Sequence, residues 1–266
     1  MTQKVAFITG AAQGIGRRTA EVLAGQGYAL ALNDLHSVAD VAHSLKKFAV
    51  PVLECPGDVS NEGTVEGFAK CIQGEWGHLD VLINNAGISF ISPTLSVSVA
   101  EFRRVLDINL VAPFLLARIF APFLMAQRSG SIVNVASIAG LVGISERAAY
   151  NASKHGLIGL TRTLSAEWGG YGVRVNAVCP GWVKTEMDVA DQASAGYTDT
   201  DITKRVPLAR FATADDVAQA IAFLADPRLS GYITGHALTV DGGWVSDGSW
   251  EALRLRYRKG NEDVAG

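Results

Sequence analysis

The sequence predicts an α/β fold in which helices cover both faces of one doubly wound parallel sheet. Short apolar runs of strand length alternate with helical patterns along the chain, an order typical of parallel strands joined by helical crossovers. A glycine-rich turn, TGAAQGIG, also stands between the first apolar run and the first helical pattern. The expected strands are KVAFIT, YALALN, VLECPG, LDVLINN, SIVNVAS, RVNAVCP and ALTVDGG.

One domain accounts for most of the chain. The 266 residues, 48% of them hydrophobic, are enough for a single extended core. We expect residues 1–244 to form this domain and residues 245–266 to form a C-terminal extension. The least regular stretch, residues 187–203, is rich in Ala, Asp, Thr and Gly. A stretch of that length inside a compact domain is usually functional or mobile.

The glycine turn predicts an anion-binding site. Gly10 allows a tight turn, Gly14 lets the backbone approach a pyrophosphate, and Gly16 lets the helix pack closely on the strand. The first N–H groups of the helix are then available to the anion. An ordinary glycine-rich loop is the alternative, but the preceding strand and following helix are the context of a Rossmann-type, dinucleotide-binding fold.

The second apolar run ends in an acidic residue, Asp34, which follows Gly16 by 18 residues. This is close to the spacing of about 20 residues for a carboxylate that binds the adenosine ribose. Because that carboxylate would repel a 2′-phosphate, we predict NAD(H) rather than NADP(H). Arg17 and Arg18 are the nearby residues that could favour the phosphate. A solvated residue at a strand end is the alternative interpretation of Asp34.

Tyr150 and Lys154 lie four residues apart in a helical pattern, AAYNASKHGLIGLTRTLSAE, and therefore share a helix face. A positive charge at about 4 Å in an effective dielectric of about 20 contributes roughly 4 kcal/mol. That energy corresponds to a drop of about three units in a tyrosine pKa. We therefore expect Lys154 to lower the pKa of Tyr150, unless desolvation of the phenolate offsets it. By itself, the pair is weak evidence, because Tyr and Lys at helical spacing usually form a solvated ridge.

Further motifs follow one another along residues 4–244. They are TGAAQGIG from Thr9, the pair Asp58 and Val59, NNAG at 84–87, Asn109 in DINLVAPF, Ser137 in VNVASIAG, YNASK from Tyr150 and PGWVKT from Pro180. With these motifs in this order, the chain resembles the short-chain dehydrogenase/reductase family of oxidoreductases.

The resemblance implies hydride transfer between a substrate carbon and nicotinamide C4. Ser137 would polarise the reacting oxygen and Tyr150 would exchange its proton. Lys154 would lower the tyrosine pKa and reach the nicotinamide ribose. Asn109 would hold a helix kink and a water that relays protons from Lys154; a helix cap or a satisfied core asparagine is the alternative.

The resemblance also implies a cofactor site along the whole sheet edge. Asp58 would accept from the adenine amino group, although it and Thr185 could be turn or cap residues. The cofactor-binding residues are expected to be Gly10, Gln13, Gly14, Ile15, Gly16, Asp34, Leu35, Asp58, Val59, Asn85, Ala86, Gly87, Tyr150, Lys154, Pro180, Gly181, Val183 and Thr185.

Substrate residues are expected in three segments, with a lid over about residues 186–205. The candidates are Ser89, Ser137, Ile144, Glu146, Arg147, Tyr150, Trp182 and Met187. Their hydrogen-bonding groups favour a small sugar or polyol, because such sites reject analogues that leave those groups unpaired. Secondary alcohols and ketones follow, and a 3-oxoacyl reductase is less favoured because it usually uses NADP(H). Glu146 and Arg147 could instead pair at the surface.

A protein of another class, a sensor that holds NAD(H) without turnover, must also be considered. Such proteins tend to lose the tyrosine or the lysine, whereas this chain has all four catalytic candidates. The enzyme is therefore the favoured interpretation.

Composition excludes some partners. A net charge of −3 and a pI of about 6.0 give no field that would attract nucleic acid or an anionic membrane. No run of about 18 apolar residues is apparent and the first strand begins near Met1, so we expect a cytoplasmic protein without a membrane span. Cys55, Cys71 and Cys179 lack metal-binding spacing, so we expect core cysteines and no metal.

The resemblance further implies a homotetramer assembled through the helices that bear Asn109 and Tyr150 and through the last strand. The C-terminal extension contains a short amphipathic segment from Trp250 to Tyr257. It is either a frayed tail or a segment that folds over a neighbouring subunit's site.

Overall fold

The computed structural model describes residues 3–256, without the side chains of 194 and 195, and contains one parallel sheet of seven strands. The strands are β1 Val5–Thr9, β2 Ala29–Asn33, β3 Val52–Glu54, β4 Val81–Asn84, β5 Gly130–Val135, β6 Val173–Pro180 and β7 Ala237–Val240. Their order is β3-β2-β1-β4-β5-β6-β7. The predicted α/β, Rossmann-type fold is therefore confirmed, and each of the seven predicted runs overlaps one strand.

Helices cover both faces of the sheet. They are α1 Gly14–Gly25, α2 Ala39–Leu45, α3 Glu62–Trp76, α4 Val99–Leu106, α5 Ala112–Ala126, α6 Ala148–Trp168, α7 Glu186–Ala195, α8 Asp199–Arg205, α9 Ala214–Ala225, α10 Pro227–Ser230 and α11 Glu251–Arg256. Ile8 packs with Leu23 of α1 in one core cluster, while its neighbour Phe7 packs with Phe120 of α5 in the other. Burial of both faces explains why the strands read as nearly continuous apolar runs.

The long helix that carries Asn109 contains a π-helical turn, Asp107–Val111, between α4 and α5. Within the described residues, Val99–Ala126 is long and apolar enough to cross a membrane by length and composition, and half of its most apolar window is buried. The expectation that no such run exists was wrong. A core helix passes the same test, and Leu116 and Phe120 of this helix are buried in the cluster around Phe7.

The stretch at 187–203 is more regular than expected, because it forms α7 and α8. Gly196, with a φ of 68°, ends α7. Thr198 and Asp201 form a capping box that begins α8. The two helices are short and polar, so they lack the apolar periodicity that would have predicted them.

The described part of the C-terminal extension packs on α8 of the same chain. Arg205 donates to the carbonyl oxygens of Asp247 at 2.9 Å and Trp244 at 3.1 Å, and its guanidinium lies 4.7 Å from the Trp244 ring centroid. Arg254 of α11 pairs with the Asp247 side chain. This part of the extension therefore braces the lid, and Tyr257 lies outside the described residues.

Candidate active site

A cavity of about 910 Å³ opens at the carboxyl ends of the strands. It spans the point between β1 and β4 where the order of the strands reverses, which is where ligands bind in open α/β sheets. Predicted cofactor and substrate residues line its two ends.

The glycine turn has the geometry that a pyrophosphate site needs. Gly10 and Gly14 have φ values of 65° and 54°, in the left-handed region that favours glycine. A Cβ on Gly16 would lie 2.0 Å from the Gly10 carbonyl oxygen, so close packing requires glycine there. Gly14 and Ile15, at the N-terminus of α1, line the cavity, and the Gln13 side chain does not cap the helix. The backbone N–H groups at this N-terminus are therefore placed to bind the phosphates of a dinucleotide.

Asp34 lies in the same part of the cavity, directly after β2. Its carboxylate accepts from the backbone N–H of Ala12 and of His36, both at 3.0 Å. Arg18 is turned toward Glu21 and Asp215, at 2.7 and 2.8 Å, and does not line the cavity. Neither does Arg17, which lies 3.5 Å from Glu21. The cation that could offset Asp34 is therefore not supplied by these two arginines.

The other predicted cofactor residues lie along the cavity, except Gly16, whose part is in packing. Asp58 lines the cavity and, as a turn residue does, accepts from the Ser60 N–H at 2.8 Å and Oγ at 2.7 Å, while its contact with adenine stays a prediction. Asn85 donates to the carbonyl oxygens of Thr9 and Gly10, both at 2.9 Å, and so ties β4 to the glycine turn. The remaining lining residues are Gln13, Leu35, Val59, Ala86, Gly87, Pro180, Gly181, Val183 and Thr185.

Ser137, Tyr150 and Lys154 meet at the centre of the cavity. Ser137 follows β5, where its Oγ accepts from the Ala139 N–H at 3.1 Å, and its side chain is close enough to Tyr150 to lower the pKa of the phenol. Lys154 is one turn further along α6 and is buried, with Nζ donating to the Val135 carbonyl at 2.9 Å. A hydroxyl, a phenol and an ammonium are thus presented together.

Desolvation, the condition placed on the predicted fall of the Tyr150 pKa, outweighs the groups that lower this pKa. Burial raises the pKa of Tyr150, and the hydrogen bond with Ser137 and the charge of Arg147 only partly oppose it. Lys154 does not supply the predicted effect, because its ammonium contacts the Val135 carbonyl and lies 5.5 Å from the phenol ring centroid. Burial also lowers the pKa of Lys154 to about 8.

Asn109 lies fully buried in the π-helical turn. Its Oδ1 accepts from the Ile88 N–H at 2.9 Å, while Nδ2 donates to the Ile88 carbonyl at 2.9 Å and to Ser153 Oγ at 3.2 Å. The side chain thereby joins the loop after β4 to the helix that bears Lys154. A π-helical turn lies where a helix kink was predicted, whereas the water relay stays a prediction.

All but one of the predicted substrate residues line the cavity. Glu146 is exposed and does not line the cavity, because its φ of 61° belongs to a turn whose carbonyl accepts from Ser92. It does not pair with Arg147 either. The predicted residues that do line this end are Ser89, Ser137, Ile144, Arg147, Tyr150, Trp182 and Met187.

Arg147 is 7% exposed and points into the cavity. It donates from Nη1 to Ser89 Oγ at 2.8 Å and from Nη2 to Asp191 Oδ2 at 2.9 Å. Its guanidinium carbon lies 5.8 Å from the Tyr150 ring centroid and 5.4 Å from that of Trp182. Arg147 therefore does not pair with Glu146 at the surface but forms a buried pair with Asp191 of α7.

Three lid residues at the site, Asp188, Asp191 and Tyr197, were not singled out by sequence. Tyr197 donates its hydroxyl to Asp188 at 3.0 Å and packs edge-on against Trp182, with centroids 5.0 Å apart. An acidic residue in a polar, non-periodic stretch resembles any solvated residue, so the sequence carried no signal for them.

Among residues 3–256 there is no group of His, Cys, Asp and Glu side chains that could hold a metal ion. Cys55 and Cys179 are buried as expected, and burial raises the pKa of Cys55 to about 12. Cys71 is exposed instead.

Comparisons with known proteins agree with this geometry. A family model described as Enoyl-(Acyl carrier protein) reductase matches residues 10–245. The chain is 41% identical to the short-chain type dehydrogenase/reductase y4vI of Sinorhizobium fredii, over 91% of this chain and 44% of that protein. It is 36% identical to D-threitol dehydrogenase of Mycolicibacterium smegmatis, over 91% of this chain and 93% of that protein.

A solved structure is also similar, a putative NAD(P)-dependent gluconate 5-dehydrogenase from Beutenbergia cavernae with NADP bound at low occupancy. Its TM-score is 0.87 at 35% identity, over 93% of this chain and 98% of that chain.

Proposed function

Because the chain belongs to the short-chain dehydrogenase/reductase family of oxidoreductases, we propose that it transfers hydride between NAD(H) and a small sugar or polyol. The observation that carries this proposal is that Ser137, Tyr150 and Lys154 line one cavity at the sheet edge, with Lys154 one turn from Tyr150 on α6.

The roles of the side chains follow from their positions. When bound, the nicotinamide ring supplies or accepts the hydride. In oxidation, the Ser137 hydroxyl holds the substrate oxygen while the Tyr150 phenolate takes its proton. In reduction, the neutral phenol returns a proton to the same oxygen. Lys154 and Asn109 hold the helix and loop around this pair through their bonds to Val135 and Ile88.

The preference for NAD(H) is supported by Asp34. Its carboxylate is fixed at the glycine turn by the Ala12 N–H, where a 2′-phosphate would meet a negative charge. Arg17 and Arg18 are engaged elsewhere. The bound NADP of the gluconate 5-dehydrogenase belongs to that protein and makes a parallel test of both cofactors necessary.

The sugar or polyol is supported by the polar end of the cavity. Ser89, Arg147 and Asp191 form one hydrogen-bonded group beside Tyr150, and Trp182 and Tyr197 add ring surface. A site of this kind favours a substrate with several hydroxyl groups. The similarity to a D-threitol dehydrogenase points in the same direction.

The test is NADH formation across a panel of sugars, polyols and simple secondary alcohols, each assayed with NAD and with NADP. Turnover of a sugar or polyol with NAD is expected. Turnover of simple ketones with NADH, without alcohol oxidation, would instead make the protein a ketone reductase. Tight NADH binding without turnover in either direction would make it a sensor.

A further inference from the structure

The strongest unassigned feature of the cavity is the way Arg147 is held. Its guanidinium carbon lies 5.8 Å from the Tyr150 ring centroid and 5.4 Å from the Trp182 ring centroid. Contacts with two aromatic rings restrict the group and leave the N–H groups along its edge for hydrogen bonding. Beside the reacting phenol, the chain thus presents a planar, buried cation in a fixed orientation.

Two oxygen atoms meet that edge as the two oxygens of one carboxylate would. Nη1 donates to Ser89 Oγ and Nη2 donates to Asp191 Oδ2, and these oxygens are 3.0 Å apart because Ser89 itself donates to Asp191. Paired donation from a guanidinium fork is the arrangement that recognises carboxylates. Ser89 belongs to the loop after β4, whereas Asp191 belongs to α7 of the lid.

The lid has other attachments, so Asp191 can be exchanged without freeing α7. Asp188 pairs with Lys184 at 3.2 Å and accepts from Tyr197, and Lys184 also pairs with Asp199 of α8 at 2.6 Å. Loss of the carboxylate partner of a buried arginine strongly destabilises a protein, because the positive charge is left unpaired. A second carboxylate can replace Asp191 and keep the charge paired, whereas a neutral hydroxyl cannot.

A second observation concerns Trp182, one of the two rings near Arg147. The indole Nε1 of Trp182 is buried and has no acceptor within the part of the chain that the structure describes. A buried donor of this kind calls for a partner, and a carboxylate has acceptor positions beyond those used by the arginine fork.

We propose that Arg147 binds a carboxylate of the substrate in place of Asp191, so that the preferred substrate is a hydroxy acid rather than the corresponding neutral polyol. This inference rests on the proposed function, because the carboxylate is placed relative to an alcohol that reacts at Tyr150. The lid carboxylate then acts as an internal competitor that keeps Arg147 paired when no substrate is bound.

The experiment compares pairs of probes with the same carbon skeleton, D-threonate with D-threitol and D-gluconate with D-glucitol. The ratio of kcat/KM for the acid over that for the polyol is expected to exceed ten in the wild type. Arg147→Lys keeps the charge but loses the fork, and should lower this ratio at least tenfold. Asp191→Asn removes the competitor and should raise it. Arg210→Lys, at an exposed pair with Asp216, is the matched control and should leave it unchanged.

Binding is measured separately from turnover, by calorimetric titration of the NADH complex with the same four probes. Tighter binding of the acids, weakened by Arg147→Lys, supports the inference even if none of the probes is oxidised, in which case only the proposed sugar or polyol chemistry fails. Equal binding of acid and polyol, or a ratio that Arg147→Lys leaves unchanged, overturns the inference while leaving polyol oxidation intact.

Discussion

Tyr150 contributes two separable features at the residue scale, a hydroxyl whose pKa Ser137 lowers and a ring that contacts Arg147. Tyr150→Phe keeps the ring and removes the hydroxyl. Turnover should therefore fall by about 10²-fold or more, the usual size of a lost proton-transfer group. Dissociation constants for NADH, from fluorescence titration, should change little. Tyr171→Phe, at an exposed tyrosine, is the control. Retained turnover would remove Tyr150 from the role of proton donor.

The charges around Tyr150 predict opposite pH effects for two variants. Arg147 lowers the pKa of Tyr150 and Asp191 raises it, although burial is the largest effect. Oxidation needs the phenolate, so its rate rises with pH through this pKa. Arg147→Met removes a cation that favours the phenolate and should move the rising limb to higher pH. Asp191→Asn should move it to lower pH.

The measurement for these two variants is kcat/KM against pH for oxidation of a neutral polyol, so that substrate charge is constant. Shifts in the same direction, or no shift, would show that the two side chains only position the lid.

Asp34 predicts the cofactor ratio. Asp34→Ala removes the carboxylate that would face a 2′-phosphate, so kcat/KM for NADP relative to NAD should rise about tenfold or more. Asp40→Ala, on the exposed side of α2, is the control for loss of a negative charge nearby. An unchanged ratio would argue against the ribose contact.

The sequence predicted these positions unequally. Tyr150 and Lys154 could be paired because residues four apart share a helix face, whereas Ser137 was assigned through the resemblance of its motif to a family. Arg147 and Asp191 lie 44 residues apart and meet only because α7 folds over the loop before α6. Such a contact leaves no local pattern, and neither does the left-handed turn that moves Glu146 out of the cavity.

At the scale of elements, strands were predictable and lid helices were not. Helices cover both faces of the sheet, so its strands consist largely of β-branched and aliphatic residues. Such strands appear in the sequence as continuous apolar runs. α7 has exposed apolar residues at Met187 and Val189 and only marginal periodicity, so its helical state comes from contacts made elsewhere in the molecule.

Replacement of glycine by alanine is expected to have opposite effects at Gly16, where β1 meets α1, and at Gly67 in α3. Gly16→Ala would place a Cβ 2.0 Å from the Gly10 carbonyl oxygen, forcing the helix away from the turn. We expect a loss of about 2 kcal/mol or more in unfolding free energy and at least tenfold weaker NADH binding. Gly67→Ala in α3, where nothing lies within 4 Å of the added Cβ, should instead stabilise the protein by up to about 1 kcal/mol.

Denaturant unfolding and NADH titration test both glycine variants. Gly67→Ala serves as the matched control, since it should leave NADH binding unchanged. Normal stability and NADH affinity in Gly16→Ala would contradict the proposed close packing at the turn.

At the scale of the whole molecule, one helix surface indicates assembly. Val111 and Phe114 are 48% and 45% exposed on the apolar helix that contains the π-helical turn. Apolar residues grouped on one face of such a helix are suited to contact another copy of the chain. This surface lies on the helix through which a homotetramer is expected to assemble, and it supports that prediction.

The C-terminal extension has two possible roles, a contact between subunits and a contact with α8, and they can be distinguished by experiment. Its described part contacts α8 through Asp247, whose carbonyl accepts from Arg205, and Arg254 pairs with the Asp247 side chain, all within one chain. Deleting residues 245–266 should therefore raise the KM for substrate severalfold, because the segment expected to be a lid loses its brace, while the native assembly keeps the same number of subunits. Arg254→Ala should raise KM in the same direction without shortening the chain. Native mass spectrometry and steady-state kinetics decide the point: a smaller assembly on deletion would assign the extension to a subunit contact, and unchanged mass with unchanged kinetics would leave it with neither role.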